Sequence, residues 1–311
     1  MNQHSSIKGR GSLIERASGI YDFNAALRGR AAPAMDLPAD LPPMPLSEPA
    51  PVPPGDQPAS APAAFRALPW TGPVQPVDRA LLASSGYLRP DGPVTAMSEE
   101  FRLLKRELLA LLPGKERGNR ILVCSASSGD GKTFCAINLA LSLAAEKDRE
   151  ILLVDADFGK PGIPERLGLQ SGPGLMDALA DPTIAIENCV IRTDIASLSI
   201  LPAGQRSNAD TEYLASARTE QLLKRLTEGR PERILIFDSP PLLAASPAAV
   251  LASHVSVALL VARADRTGES ALREAAAMVK GGAEIRLLLN AVSFAAGGRR
   301  FGNYYPKGTE E

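Results

Sequence analysis

Apolar residues along this chain recur in short unbroken runs, separated by stretches with helical spacing. Arg120–Ser125, Glu150–Asp157, Leu198–Pro202, Arg233–Asp238, Val255–Ala262 and Ile285–Asn290 read as strands. Between them, 133–146, 219–226 and 269–280 carry helical periodicity. Continuous rather than alternating apolar strands fit a parallel sheet covered on both faces. Alternation of strand and helix predicts an α/β fold: a doubly wound, mostly parallel sheet flanked by helices, with ligands at the carboxyl ends of the strands. Ahead of it, 97–112 places Phe101, Leu104, Leu108 and Leu111 on one stripe, with Ser98 as the expected N-cap.

The first part of the chain reads differently. Fourteen of the 27 prolines fall between Pro33 and Pro76. Proline lacks the amide that ladders and helices need, and such a segment buries too little to offset its ordering entropy. The expected organisation is a basic, helix-capable segment over 1–30, a Pro/Ala-rich disordered linker over 31–77, a folded domain over 78–293 and a flexible tail over 294–311. Within the first segment, Leu13, Ala17, Ile20 and Leu27 at helical spacing beside several arginines suit docking to a partner or an anionic membrane surface.

Composition narrows the chemistry. A net charge of −1 provides no field for nucleic acid. Cys124, Cys135 and Cys189 have no metal spacing and read as reduced core thiols of a cytoplasmic protein. His4 and His254 are isolated. No apolar run reaches the length of a membrane span, and none resembles an export signal.

The chemistry is concentrated at strand ends. Ala126–Thr133 reads Ala-Ser-Ser-Gly-Asp-Gly-Lys-Thr, between a strand and a helix. Ser127, Ser128, Gly129, Asp130 and Gly131, followed by Lys132, Thr133 and Phe134, would place backbone amides and a helix N-terminus around one phosphate chain. Lys132 would reach the β- and γ-phosphates, and the Thr133 hydroxyl would meet Mg²⁺. Asp155 and Asp157 close the second long strand. One suits holding Mg²⁺ through water and the other accepting a proton. Asp238 ends the run Ile234-Leu-Ile-Phe and precedes Ser-Pro-Pro, the arrangement that supports a metal beside a phosphate loop.

In order, Ala126–Thr133, Leu152–Asp157 and Ile234–Pro241 resemble the three Walker motifs of the bacterial tyrosine kinases, or BY-kinases. That family belongs with the ParA/MinD-type ATPases. Ser12–Ala17, Ser98–Arg106, Leu201–Gly204 and Phe237–Leu243 look most like its stand-alone autokinases from exosortase/PEP-CTERM-type polysaccharide loci. The resemblance implies ATP and Mg²⁺ as cofactors, catalysis by Lys132, Asp155, Asp157 and Asp238, and metal support from Thr133, Asp155 and Asp238. It also implies an adenine contact at Asn290 and autophosphorylation in trans on tail tyrosines, here Tyr304 and Tyr305. Glu99, Arg102 and Lys105 match, with Lys in the last position, the family motif that joins subunits into a ring. The implied partners are further copies of the chain and a membrane polysaccharide copolymerase, with recruitment to the inner face of the membrane. Where such relatives carry Arg, this chain has Gly159. The competing expectations are a ParA/MinD-like ATPase switch and a nucleotide-binding scaffold. Ser125–Ser128 lacks the additional lysine usual in the switch proteins.

Overall fold

The computed structural model describes Trp70 and residues 72–112, 117–279 and 282–292. The expected helix over 12–28, most of the linker, and the tail with Tyr304 and Tyr305 lie outside the described residues.

The strands are β1 Val74–Gln75, β2 Arg120–Ser125, β3 Glu150–Asp155, β4 Ile191–Thr193, β5 Leu198–Leu201, β6 Arg233–Asp238, β7 Val257–Arg263 and β8 Glu284–Asn290; all but β1 and β4 lie where the apolar runs predict them. They make one sheet in the order β1-β4-β5-β3-β6-β2-β7-β8. Every neighbouring pair is parallel except β4 with β5. The helices are α1 Arg79–Ser84, α2 Ala96–Leu111, α3 Lys132–Ala144, α4 Ile163–Arg166, α5 Leu175–Ala180, α6 Asp210–Ala215, α7 Ala217–Thr227, α8 Pro247–Ala252 and α9 Glu269–Met278.

The pleat divides each central strand between two cores. Ile121, Val123, Ile151, Leu153, Ile234 and Ile236 face a layer built on α1, α2 and α3. Leu122, Cys124, Leu152, Val154, Leu235 and Phe237 face a layer built on α5 through α9. Between their polar end residues β2, β3 and β6 are continuously apolar, because both their faces are covered.

Three expectations need correction. The linker does not extend to Val77: Val74–Gln75 pairs with Arg192–Thr193 as an edge strand, and the Trp70 ring lies 3.9 Å from the buried Arg233 guanidinium carbon. Two paired residues are too few for a periodic signal. The N-cap of α2 is Thr95 rather than Ser98. The Thr95 hydroxyl accepts from the Ser98 amide at 3.1 Å, and Ser98 Oγ accepts from the Thr95 amide at 2.8 Å, so Ser98 is the second half of a capping box. β3 stops at Asp155, which leaves Asp157 in the following turn.

Leu201–Gly204 packs against the start of α5. The amides of Leu175 and Met176 donate to the Pro202 and Ala203 carbonyls at 2.8 and 2.9 Å. A β-carbon on Gly174 would stand 2.2 Å from the Pro202 carbonyl oxygen and 2.3 Å from the Gly204 nitrogen. Both are backbone atoms, and the Pro202 oxygen already accepts from the Leu175 amide, so they cannot yield as a flexible side chain would. Gly174→Ala should therefore destabilise the domain by about 3 kcal/mol, read as a lower urea midpoint. An unchanged midpoint would show that this contact relaxes freely.

Candidate active site

The loop between β2 and α3 begins at Ala126 and ends at Gly131, the N-cap of α3. Gly129 and Gly131 have φ of 85° and 95°, a region that side chains disfavour. Gly131 is also crowded: its β-carbon would lie 2.0 Å from Asn290 Nδ2. Asp130 ties the loop together. Its Oδ2 accepts from the Ser127 amide at 3.0 Å and its Oδ1 from the Thr267 hydroxyl at 2.9 Å. Ser127, Ser128 and Gly129 are exposed, while Asp130 and Lys132 are buried.

Lys132, Asp155, Asp157 and Asp238 are brought together at the carboxyl ends of β2, β3 and β6. Lys132 Nζ sits 3.2 Å from Asp157 Oδ2, with both side chains about nine-tenths buried. Asp155 and Asp238 are register partners on adjacent strands. Asp155 Oδ2 accepts from the Gly162 and Ile163 amides at 2.8 and 3.0 Å, and Oδ1 from the Asp157 amide at 3.3 Å. Burial nevertheless raises its proton affinity above that of a free aspartate, against those three amides. Asp238 is 1% exposed. Burial pushes its carboxyl up to about 7, while the Thr133 hydroxyl and Lys132 oppose the shift and Asp155 and Asp157 reinforce it.

Asp238 Oδ1 is buried without a hydrogen-bond partner among the described residues. A buried, orphaned carboxylate oxygen next to a threonine hydroxyl fits a hard cation. Mg²⁺ typically uses only one or two protein ligands beside phosphates and water, so Thr133 and Asp238 suffice as its donors. Asp155 fits that role less well, because both its oxygens already accept backbone amides.

Asn290 ends β8 beside the loop. Its Nδ2 donates to the Asp130 carbonyl at 2.9 Å and its Oδ1 accepts from the Ala291 amide at 2.8 Å. Phe134 stacks on Tyr87, with ring centroids 5.4 Å apart. A cavity of about 610 Å³ opens between Phe134, Leu288, Asn290 and the apolar side of α2.

The expected three-residue docking face does not survive. Glu99 and Arg102 pair with each other on α2. Lys105 is turned into the fold, where its Nζ donates to the Ser142 carbonyl at 3.0 Å and pairs with Glu146 at 2.5 Å. Two steps of three residues rotate around a helix by about 120°. Glu99 and Lys105 therefore face different directions.

Cys124 and Cys135 are buried thiols pushed up to about 12, and Cys189 to about 11, chiefly by burial. His254 packs its two nitrogens 3.3 Å from Glu220 and from the Leu214 carbonyl. Among the described residues no helix is long and apolar enough to cross a membrane.

Sequence reading missed the turn after β7. Arg263 Nη1 donates to the Gly129 carbonyl at 3.2 Å, and Thr267 holds Asp130. It also missed Arg206, whose guanidinium donates to the Gly159 carbonyl. The cue available for Arg263 and Thr267 was their place just outside a carboxyl strand end, where such sheets gather ligands. No local cue joins Arg206 to Gly159.

Comparison with known proteins agrees with this geometry. The AAA-domain family model matches residues 118–274. The tyrosine-protein kinase Wzc of Salmonella typhi is 33% identical over 180 residues, 58% of this chain and 24% of that protein. The chain thus spans about a quarter of the length of the first relatives it matches. The tyrosine-protein kinase YwqD of Bacillus subtilis is 26% identical over 175 residues, 56% of this chain and 72% of that protein. Among solved structures, the kinase domain of Escherichia coli tyrosine kinase ETK superposes with a TM-score of 0.59 at 25% identity, over 68% of this chain and 82% of that one. The VpsO kinase domain gives 0.51 at 31% identity, over 62% and 98%. The chain belongs to the AAA-domain family of P-loop proteins, in the branch formed by the bacterial tyrosine kinases.

Proposed function

We propose that the chain is an ATP-dependent protein tyrosine autokinase. The observation that carries this reading is the convergence of Lys132 with Asp155, Asp157 and Asp238 at the mouth of a phosphate loop. The kinase names of its relatives support it.

On this reading Lys132 exchanges Asp157 for the β- and γ-phosphates. The loop amides and the start of α3 hold the phosphate chain in line. Phe134 and Asn290 flank the cavity that receives the base. Mg²⁺ supplies positive charge to the phosphates when bound, with Thr133 and Asp238 as its donors. A tyrosine oxygen attacks the γ-phosphorus, the bond to the ADP oxygen breaks, and ADP leaves. The phenolic proton passes to Asp155, whose burial raises its affinity for it. Lys132 stabilises the charge on the transferring group.

The acceptors proposed are Tyr304 and Tyr305 of a neighbouring copy. Copies would associate through the half-buried Glu99–Arg102 side of α2, without Lys105. Phosphates on the tails would add like charge and loosen the assembly. That cycle would regulate a membrane polysaccharide copolymerase and so exopolysaccharide export, with the kinase recruited from the cytoplasm.

Mapping phosphotyrosine by mass spectrometry after incubation with Mg-ATP tests the proposal. Signal should be confined to the tail, be lost in Tyr304→Phe/Tyr305→Phe, and fall steeply in Asp155→Asn. ATP hydrolysis without phosphotyrosine would replace the kinase by a nucleotide switch.

A further inference from the structure

The turn joining β7 to α9 is fastened to the phosphate loop at several points. Arg263 Nη1 donates to the Gly129 carbonyl at 3.2 Å, and the Arg263 amide donates to the Thr267 hydroxyl at 2.8 Å. That hydroxyl donates in turn to Asp130 Oδ1. The Ala264 amide donates to the Asn290 carbonyl at 2.9 Å, while Asn290 Nδ2 donates to the Asp130 carbonyl. Asp265, in the middle of the turn, has φ 59°.

This bracing places Arg266. Its Nη1 lies 3.0 Å from where a β-carbon of Gly129 would be, so the guanidinium rests on the crest of the loop. The Arg266 side chain is exposed. Unlike Arg263, its guanidinium makes no hydrogen bond or ion pair among the described residues. Arg263 and Thr267 are engaged with the loop, whereas the exposed Arg266 guanidinium, the remaining cation of the turn, is left over.

We propose that Arg266 is a further contact for the nucleotide's phosphates, supplied by the β7–α9 turn rather than by the phosphate loop. The proposal rests on the phosphate-site reading above. A planar guanidinium presents forked donors that match phosphate oxygens in pairs. Gly129 fits the same arrangement, because any side chain there would meet the guanidinium. Lys132 approaches the phosphates from the start of α3 and Arg266 from another segment of chain. The chain of hydrogen bonds through Asp130 and Thr267 keeps the two cations on one scaffold.

The test compares the full chain with Arg266→Ala, Arg266→Lys and Lys132→Met. Mg-ATP and Mg-ADP affinities are measured by titration, together with melting temperatures with and without nucleotide. Loss of a charge-assisted contact should weaken nucleotide binding by about tenfold in Arg266→Ala, with partial recovery in Arg266→Lys. The melting temperature without nucleotide should not move, because the guanidinium has no partner to lose. Unchanged affinity in Arg266→Ala, with binding lost in Lys132→Met, overturns the proposal and leaves the phosphate site standing. A fall in ligand-free melting temperature that accounts for the weaker binding overturns it too, by making Arg266 structural. Wild-type nucleotide affinity in folded Lys132→Met would remove the phosphate-site reading, and this proposal with it.

Discussion

Lys132→Met should lower phosphotransfer by on the order of 10²–10³, the usual effect of removing one preorganised charge that faces the transition state. It should also weaken the ligand-free fold. Lys132 and Asp157 are paired at 3.2 Å with side chains 11% and 10% exposed. Removing one member of a buried pair strands the other charge, at about 3–5 kcal/mol. Lys132→Met/Asp157→Asn removes both charges and should recover most of that stability without recovering activity. Urea midpoints for the two single variants and the double variant close the cycle. If the double variant were no more stable than Lys132→Met, the pair would have no structural role. If Lys132→Met retained full phosphotransfer, the assignment of Lys132 to the phosphates would fail.

Asp238→Asn should have opposite effects on stability and activity. An unfolded chain releases the Asp238 proton near 3.8, the ordinary value for aspartate, whereas the folded chain holds it to about 7. Between those values the folded state binds more protons than the unfolded one, so stability falls as pH rises. Above about 7 the penalty is present in full. It arises because burial opposes the charge more strongly than Thr133 and Lys132 favour it. Asp155, also raised by burial, contributes in the same direction. Asn at 238 removes its own share, so the ligand-free variant should be more stable than wild type at pH 8, by on the order of a few kcal/mol. Its stability should also depend less on pH between 5 and 8. Phosphotransfer should nearly vanish, because the carboxylate charge that suits a cation is gone. Urea unfolding at several pH values decides this. A variant that is less stable at pH 8, or one that keeps the full slope, would contradict the reading.

How much was legible depends on where each signal is stored. The central strands could be read because double burial makes their interiors continuously apolar. The phosphate loop could be read because backbone angles and anion chemistry restrict its residues locally. Asp155, Asp157 and Asp238 stood out as acids that end or follow apolar runs. What failed was tertiary or too short. β1 and β4 span two and three residues. Thr95 and Ser98 are both good caps, and only the path of the chain selects between them. Lys105 has the composition of a surface residue, yet α3 offers the Ser142 carbonyl at the right height. Arg263, Arg266 and Thr267 acquire their meaning from the contact of one strand-end turn with another loop, which no spacing along the chain encodes.

Trp70 is the only tryptophan of the 311 residues. It stacks on Arg233, the first residue of β6, whereas Asp238 closes the same strand. Five residues of extended chain, roughly 17 Å, separate this indole from the acidic cluster. Its emission thus reports on the surroundings of Arg233, at the rim of the sheet remote from the acidic cluster. Any change in that emission on adding ATP would register a rearrangement carried through the sheet rather than direct quenching by the base.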